Sequence, residues 1–257
     1  MSGPMTRRPN DLAGALVETV LCDLDGVVWL AHEAIPGSVQ AIEALRASGR
    51  RVLFVTNNSS KLISESEAAL AAIGVPAEGD VVSSSMAAAS LVAPGERVLV
   101  TGGPGVVESV TAAGAEEELS DGVLRSEPFD AVVVGLTRDV DYARLRVAGR
   151  ALHAGARLIG TNGDTTYPTP SGLDPGGGSI VAAVSVIGGV EPVVAGKPEQ
   201  PMADLVVRMV GGEPSSMVMV GDRPETDGLF AQRSGCRFAL VESGVTPPGS
   251  GTHRDLA

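Results

Sequence analysis

The sequence is poor in aromatic residues, cysteine and positive charge, and each shortage excludes a class of protein. Aromatic residues make up 3% of the chain, so a core must be built from Val, Leu, Ile and Ala. No apolar run approaches the roughly 20 residues that a membrane-spanning helix needs. The net charge is −12, and no basic cluster offers a surface for nucleic acid. These absences argue against a membrane protein and against a nucleic-acid-binding protein.

The two cysteines, Cys22 and Cys236, are too few for a disulfide framework. Both lie in apolar stretches, so we expect reduced, buried thiols. Residues 1–10 contain Arg7 and Arg8, but no apolar segment follows, and we expect a disordered tail rather than an export signal. The sequence therefore favours a cytoplasmic location.

The regular alternation of strand-like and helix-like segments predicts the fold class. Hydrophobic residues form 44% of the 257 residues, enough for one large domain or two modest ones. The strand-like runs are continuously apolar, which is typical of a parallel sheet covered by helices on both faces. Strands are predicted at 19–22, 52–55, 97–100, 131–136, 157–160, 193–195, 217–220 and 238–241. Helices are predicted at 36–48, 65–73, 142–153, 180–187 and 202–210, with a loop over 161–178 and a disordered tail from Pro247.

Four of the predicted strands are followed by polar residues. These are Asp23 and Asp25, then Thr56, Asn57, Asn58 and Ser59, then Gly196 and Lys197, and last Gly221, Asp222 and Asp227. Because the carboxyl ends of parallel strands share one edge of a sheet, where ligands bind, we expect these groups to converge.

The chemistry of these groups matches phosphoryl transfer. Aspartate carboxylates are hard oxygen donors that suit Mg²⁺, while a threonine hydroxyl, backbone N–H groups and a lysine can hold phosphate oxygens. Asp23 can attack phosphorus and store the group as an acyl phosphate. Asp25, two residues later, can serve first as acid and then as base, and Gly26 lets the chain turn away.

The four motifs together resemble those of the haloacid-dehalogenase-like superfamily. They read DLDGV at Asp23, VTNNS around Thr56, GKP at Lys197 and GDRPETD at Asp222. VTNNSS with Lys61, TNGDTTYPTPSG and GKPEQ resemble subfamily IIA, the NagD-like and 4-nitrophenylphosphatase-like phosphatases. The resemblance covers about 19–244 and implies a Rossmann-like core and a Mg²⁺-dependent phosphomonoesterase.

The resemblance also implies a role for each matching residue. Asp23 would be the nucleophile and a metal ligand, Asp25 the acid and base with a backbone carbonyl on the metal, and Asp222 a further ligand. Asp227 would support the metal through water or orient Lys197. Thr56, Asn57, Asn58 and Lys197 would hold the phosphate.

An inserted α/β cap of the C2 type is the second structural implication of the resemblance. It divides the chain into a core part at 1–83, a cap at 84–178 and a second core part at 179–257. The cap would close over the site and exclude water, with Asn162 and Asp164 near the substrate. The resemblance also favours a homodimer formed through the cap.

Two other functions remain open from the sequence alone. A phosphotransferase or mutase would use the same fold, and a non-catalytic phosphometabolite-binding protein would need no acid and base. The sequence does not identify the substrate. Glycerol phosphate, phosphoglycolate, sugar phosphates, nucleoside monophosphates and pyridoxal phosphate all remain candidates.

Three glycines and one tryptophan have competing interpretations. Gly102, Gly103 and Gly105 follow a strand, as in nucleotide-binding loops, but they do not spell GxGxxG. We therefore interpret them as a tight turn. Trp29 is interpreted as packing beneath the first motif, and His32 as a candidate for the mouth of the pocket.

Overall fold

The computed structural model describes residues 16–30, 32–125, 127–169 and 172–244. The predicted disordered tails at 1–10 and from Pro247 lie outside these ranges. Within the described residues, no helix has the length and apolar character needed to cross a membrane.

Fourteen strands and eight α-helices are found in the described part of the chain. The strands are β1 (Thr19–Cys22), β2 (Trp29–Leu30), β3 (Glu33–Ala34), β4 (Arg51–Thr56), β5 (Val81–Ser83), β6 (Arg97–Thr101), β7 (Glu116–Leu119), β8 (Ala131–Val134), β9 (Arg157–Gly160), β10 (Thr166–Thr169), β11 (Gly172–Pro175), β12 (Val193–Val194), β13 (Met217–Gly221) and β14 (Arg237–Leu240). The helices are α1 (Ser38–Ala47), α2 (Ile63–Ala72), α3 (Ser84–Ala89), α4 (Pro104–Ala112), α5 (Tyr142–His153), α6 (Gly177–Gly188), α7 (Gln200–Val210) and α8 (Leu229–Ser234).

The first sheet has five parallel strands in the order β14-β13-β1-β4-β5. Its central strand β1 is buried along its whole length, as expected for a sheet with helices on both faces. The order places β4 on one side of β1 and β13 on the other, so the residues after these three strands meet at one edge.

The second sheet also has five parallel strands, in the order β12-β9-β8-β6-β7. Four of them lie within the predicted cap at 84–178, but β12 follows that range and pairs with β9, and α6 packs against α5. The boundaries at 83/84 and 178/179 stay a prediction, and we infer that the inserted unit extends beyond Gly178 to β12.

A single hydrophobic cluster joins the two sheets. It contains Leu53 and Val82 from the first sheet, Val98 and Val133 from the second, and the buried alanines of α3 between them. Since burial of apolar surface contributes about 25 cal/mol per Å², the two sheets stabilise each other through this shared core.

The predicted α/β class is confirmed, and the structure adds elements that the sequence pattern did not indicate. The predicted loop at 161–178 holds the antiparallel hairpin β10–β11 and the first two residues of α6. Its strands contain Pro168 and Pro175, which disfavour a strand interpretation, but both strands belong to an isolated two-stranded ribbon. The short elements β5 and α3, the hairpin β2–β3 and the acidic strand β7 were also unpredicted.

Both cysteines are free thiols, as expected, but the prediction that both are buried was wrong for Cys236, which is only partly buried. Cys22 is buried in β1, and its burial raises the pKa of the thiol to about 12.

Candidate active site

The strand ends of the first sheet bring Asp23, Thr56 and Asp222 to one edge. Asp23 follows β1, Thr56 ends β4, and Asp222 follows β13. The backbone N–H of Asp23 donates to the carbonyl of Val220 at 3.0 Å, which connects the start of the first motif to β13. The structure therefore brings these three groups together, as the sequence predicts.

Lys197 links two of the carboxylates. Its Nζ lies 2.8 Å from Oδ1 of Asp23 and 2.7 Å from Oδ1 of Asp227, and the lysine side chain is only 2% exposed. Burial disfavours the charged form of Lys197, but the charges of Asp227 and Asp23 outweigh it and raise the pKa of the ammonium. Lys197 therefore stays protonated beside Asp23.

Asp227 is held by both of its carboxylate oxygens. Oδ1 accepts from Lys197, and Oδ2 accepts from the backbone N–H of Arg223 at 3.2 Å. Asp227 lies in the π-helical turn Pro224–Gly228 and is 1% exposed. These two bonds support orientation of Lys197, one of the two roles open to Asp227 from the sequence.

The candidate nucleophile Asp23 lies close to both the positive charge of Lys197 and the negative charge of Asp227. Burial raises its pKa to about 7, while Lys197 opposes this shift and Asp227 adds to it. A carboxylate in such a position keeps its charge only when cations compensate it. The local environment therefore favours a bound cation at the Asp23 carboxylate.

The donor set fits a divalent metal ion. Asp23, Asp222 and Asp227 each offer a carboxylate oxygen, and these oxygens all lie within 4.8 Å of one another. Three ionised carboxylates against the one ammonium of Lys197 leave a formal excess of two negative charges. Because unpaired buried charge is costly, this excess is what a divalent cation with oxygen ligands would offset.

Gly26 makes room for this cluster. Its φ of +90° lies in the left-handed region, and a Cβ at this position would lie 2.5 Å from Oδ2 of Asp222. Both the backbone conformation and the close approach require glycine here.

The loop after β4 holds its own residues in place. The Thr56 hydroxyl oxygen accepts from the backbone N–H of Asn58 at 3.1 Å, which leaves its proton for an acceptor in the cavity. Asn58 Oδ1 accepts from the backbone N–H of Ser60 at 3.0 Å and from its hydroxyl at 2.8 Å. The side chain of Asn58 therefore shapes the loop as well as facing the cavity.

Asn57 connects the first sheet to the inserted unit. Its Nδ2 donates to Asp164 Oδ2 at 3.1 Å and to the carbonyl of Lys197 at 3.0 Å. Its own carbonyl accepts from Nδ2 of Asn162 at 2.8 Å. Burial raises the pKa of Asp164, and the bond from Asn57 opposes that shift. Asn162 and Asp164 thus reach the site, and both are bonded to Asn57.

These groups line a cavity of about 420 Å³ between the two sheets. All the predicted site residues except Asp222, which is fully buried, belong to its wall. The wall also includes residues to which the sequence pattern assigned no role: Leu30, Leu136, Thr166, Tyr167, Thr169 and Arg223. Arg223 lies within the fourth motif, GDRPETD, so its position in the sequence was a usable signal.

The glycine-rich turn at 102–105 has a packing role. A Cβ on Gly103 would lie 2.6 Å from the carbonyl oxygen of Ser60, and one on Gly105 would collide with the carbonyl of Lys61. These glycines let α4 approach the loop after β4, and the interpretation as a turn rather than a nucleotide site agrees with this contact.

Comparison with known proteins identifies the family. A family model described as haloacid dehalogenase-like hydrolase matches residues 20–116, and an HAD-hydrolase-like model matches residues 194–255. The chain is 36% identical to the 5'-nucleotidase YutF of Bacillus subtilis, over 88% of this chain and 87% of that protein. It is 37% identical to an acid sugar phosphatase of Staphylococcus saprophyticus, over 88% and 86%.

A solved structure has the same fold. The glycerol phosphate phosphatase of Mycobacterium tuberculosis, solved in complex with magnesium, superposes with a TM-score of 0.81 at 36% identity, covering 90% of this chain and 71% of that one. The chain therefore belongs to the haloacid dehalogenase-like hydrolase family, in its 4-nitrophenylphosphatase and NagD-like subfamily IIA. The prediction of a hydrolase acting on phosphoric monoesters is confirmed.

Proposed function

We propose that the chain is a Mg²⁺-dependent phosphatase that hydrolyses a small organic phosphate through a phosphoryl-aspartate on Asp23. The observation that carries this proposal is the ion-paired triad Asp23, Lys197 and Asp227 beside Asp222, at the base of the cavity. A binding protein has no need for a second carboxylate, Asp25, in the same cavity wall.

In the first half-reaction, a carboxylate oxygen of Asp23 forms a bond to phosphorus while the bond between phosphorus and the leaving alcohol oxygen breaks. Asp25 gives its proton to that oxygen, so the alcohol leaves neutral. Lys197 holds the Asp23 carboxylate at 2.8 Å, and the Thr56 hydroxyl and backbone N–H groups of the loop hold phosphate oxygens.

In the second half-reaction, Asp25 removes a proton from water, and the water oxygen bonds to phosphorus as the bond to Asp23 breaks. Inorganic phosphate leaves, and both aspartates return to their starting forms. Asp23, Asp222 and the backbone carbonyl of Asp25 are the proposed holders of Mg²⁺, which when bound supplies positive charge to the phosphoryl oxygens. The proposed role of Asp227 is to orient Lys197.

The proposed substrate is a small metabolite with one phosphate group. The cavity of about 420 Å³ is of the size that small-molecule sites have. Relatives are named as a 5'-nucleotidase, an acid sugar phosphatase, a phosphoglycolate phosphatase and a D-glycerol 3-phosphate phosphatase, and these names support a small phosphorylated metabolite as the proposed substrate. A cytoplasmic location is part of the proposal, and a homodimer through the cap stays a prediction.

The test is hydrolysis of p-nitrophenyl phosphate with Mg²⁺ by Asp23→Asn. Loss of the nucleophile should lower turnover by at least about 10⁴-fold. Asp204→Asn, on the exposed face of α7, is the matched control and should keep normal turnover. Unimpaired hydrolysis by Asp23→Asn would refute the proposal, and formation of a new phosphoester in place of free phosphate would show a transferase.

A further inference from the structure

A buried tryptophan donates a hydrogen bond to the proposed acid and base. Nε1 of Trp29 lies 3.0 Å from Oδ1 of Asp25. Trp29 is 3% exposed and is the one tryptophan of the sequence. It does not belong to the wall of the main cavity, as far as the described residues show, so it has no direct access to substrate there.

The backbone fixes this pair. The N–H of Trp29 donates to the carbonyl of Leu24 at 3.1 Å, and the N–H of Gly26 donates to the carbonyl of Trp29 at 2.8 Å. This turn, which depends on the positive φ of Gly26, brings residues 25 and 29 side by side. The ring of His32 packs edge-on against the indole, with the ring centroids 5.0 Å apart.

The hydrogen bond from the indole N–H gives the two carboxylate oxygens of Asp25 different roles. An indole N–H donates and never accepts, so Oδ1 accepts this bond whether Asp25 is ionised or protonated. Because a protonated carboxyl group accepts more readily through its carbonyl oxygen than through its hydroxyl oxygen, this bond favours the transferable proton on Oδ2, the oxygen that the indole leaves free. The bond also restricts rotation of the carboxyl group, which keeps Oδ2 in one orientation through both half-reactions.

We propose that Trp29 is a positioning residue that holds Asp25 with Oδ2 toward the leaving group. This inference rests on the proposed function, because it assumes that Asp25 is the acid and base. It adds no step to the reaction: the proton still passes from Asp25 to the alcohol oxygen as the phosphorus–oxygen bond breaks.

The test measures how the effect of Trp29→Phe on kcat/KM depends on the leaving group of the substrate. Phenylalanine keeps an aromatic ring in the core but lacks the N–H. The kcat/KM value reports on the steps up to the phosphoryl-aspartate, where Asp25 acts as acid. An alkyl phosphate such as glycerol phosphate needs that acid, whereas p-nitrophenolate leaves without much help. We expect kcat/KM to fall about 10- to 100-fold for alkyl phosphates, the range for a bond to a charged group, and less than about threefold for p-nitrophenyl phosphate.

A matched control separates positioning from simple loosening of the turn. The Ser38 hydroxyl donates to the carbonyl of Val28 at 2.8 Å, one residue before Trp29, without touching Asp25. Ser38→Ala should therefore change kcat/KM for both substrates by the same small factor. An equal fall for alkyl and aryl substrates in Trp29→Phe would overturn the inference and leave Trp29 as a packing residue.

Fluorescence supplies a second measurement, which does not need the Phe variant to fold. Since Trp29 is the one tryptophan, emission of the unmodified protein reports on this ring alone. Asp25→Ala removes the acceptor and should shift the emission maximum, whereas Asp23→Asn changes the site charge but leaves the indole bond and should not. Unchanged emission in a folded Asp25→Ala variant would count against the bond.

The two hypotheses fail in different ways. Full turnover by Asp25→Ala would overturn the assignment of the acid and base in the proposed function. An inactive Asp25→Ala variant, together with a uniform effect of Trp29→Phe, would overturn only the role of Trp29.

Discussion

The two parallel sheets have the same number of strands, yet the three carboxylates that could bind a metal ion all follow strands of the first sheet. The strand ends of the first sheet supply Asp23 and Asp222, as well as Thr56. Those of the second sheet supply Lys197, after β12, together with the buried residues Thr101 and Thr161. Thr161 Oγ1 donates to the Ser59 hydroxyl at 2.9 Å.

Apart from supplying Lys197, the second sheet therefore supports the first. Its strand ends and its glycine-rich turn pack against the loop after β4, while one loop and one hairpin extend into the cavity. A parallel sheet provides an edge where ligands can bind, but the residues that follow the strands decide whether that edge carries out chemistry or holds a neighbouring loop.

Among the substitutions that compare the two sheets, the largest effect is expected from Gly26→Ala. The new methyl group would strike the carboxylate of Asp222, and alanine is strained at a φ of +90°. Gly37→Ala is the matched control, because Gly37 has a φ of +89° and a Cβ added there would meet nothing within 4 Å. We expect Gly26→Ala to lower kcat/KM about 100-fold and to weaken Mg²⁺ binding, measured by titration of activity with Mg²⁺. Equal effects of the two substitutions would contradict a specific role for Gly26.

Thr56→Val and Thr101→Val each remove one hydroxyl group from a strand end, the first in the first sheet and the second in the second sheet. Together they compare the two sheet edges directly. Thr56→Val should lower kcat/KM about 10- to 100-fold, because the phosphate loses a donor. The Thr101 hydroxyl is buried without a hydrogen-bond partner within the described residues, so Thr101→Val should leave kinetics unchanged and the melting temperature equal or higher. If Thr101→Val were the more damaging change, the assignment of chemistry to the first sheet would be wrong.

The contribution of the inserted unit to the site is tested by Asp164→Ala. Loss of the bond from Asn57 to Asp164 loosens the loop that is proposed to hold phosphate. One hydrogen bond contributes about 1 kcal/mol, so we expect a rise in KM of about fivefold with kcat nearly unchanged. Asp174→Ala, on the half-exposed hairpin strand β11, is the control. A fall in kcat alone would indicate that Asp164 acts in the chemistry.

The smallest expected effect is the pH dependence of stability and of the rise in melting temperature caused by Mg²⁺. Burial raises the pKa of Asp23 to about 7 from 3.8, so the folded metal-free protein binds more protons than the unfolded chain between these values. Its stability should fall as the pH rises from about 4 towards about 7. Mg²⁺ requires the ionised carboxylate, so the rise in melting temperature on adding Mg²⁺ should be larger at pH 8 than at pH 6.

Melting curves with Mg²⁺ and with a chelator at the two pH values check this expectation. Asp23→Asn has no carboxyl to titrate and should show a weaker pH dependence of the Mg²⁺ effect. Greater stabilisation by Mg²⁺ at pH 6 than at pH 8 would contradict the raised pKa.

The sequence predicted the strand ends well because their signals are local. β1 and β9 have the predicted bounds, and so does α5, since each is an apolar run or an amphipathic segment with clear ends. Three of the four polar motifs follow strands of the first sheet, and parallel pairing brings them together without further information. The prediction that Lys197 shares that edge was wrong, because Lys197 follows β12 of the second sheet and reaches Asp23 only through the packing of the two sheets.

Elements stabilised by tertiary contacts were not predictable in this way. β7 reads EEEL, and its charges disfavour a strand, but Arg97 and Arg125 form ion pairs with Glu118 and β6 supplies the pairing. The bond between Trp29 and Asp25 depends on which way two side chains turn, and the spacing of the residues leaves that undetermined. The same applies to the contact of Asn57 with Asp164, which joins residues 107 positions apart.

The hairpin β10–β11 offers a practical route to new substrate ranges. The backbone N–H of Gly176 donates to the carbonyl of Thr165 at 2.9 Å, so the two ends of the hairpin meet, and Tyr167 and Thr169 face the cavity. A segment closed at its base can be exchanged between relatives as a cassette. The shared core beneath both sheets would stay intact, so a library of hairpins could be screened on one unchanged catalytic scaffold.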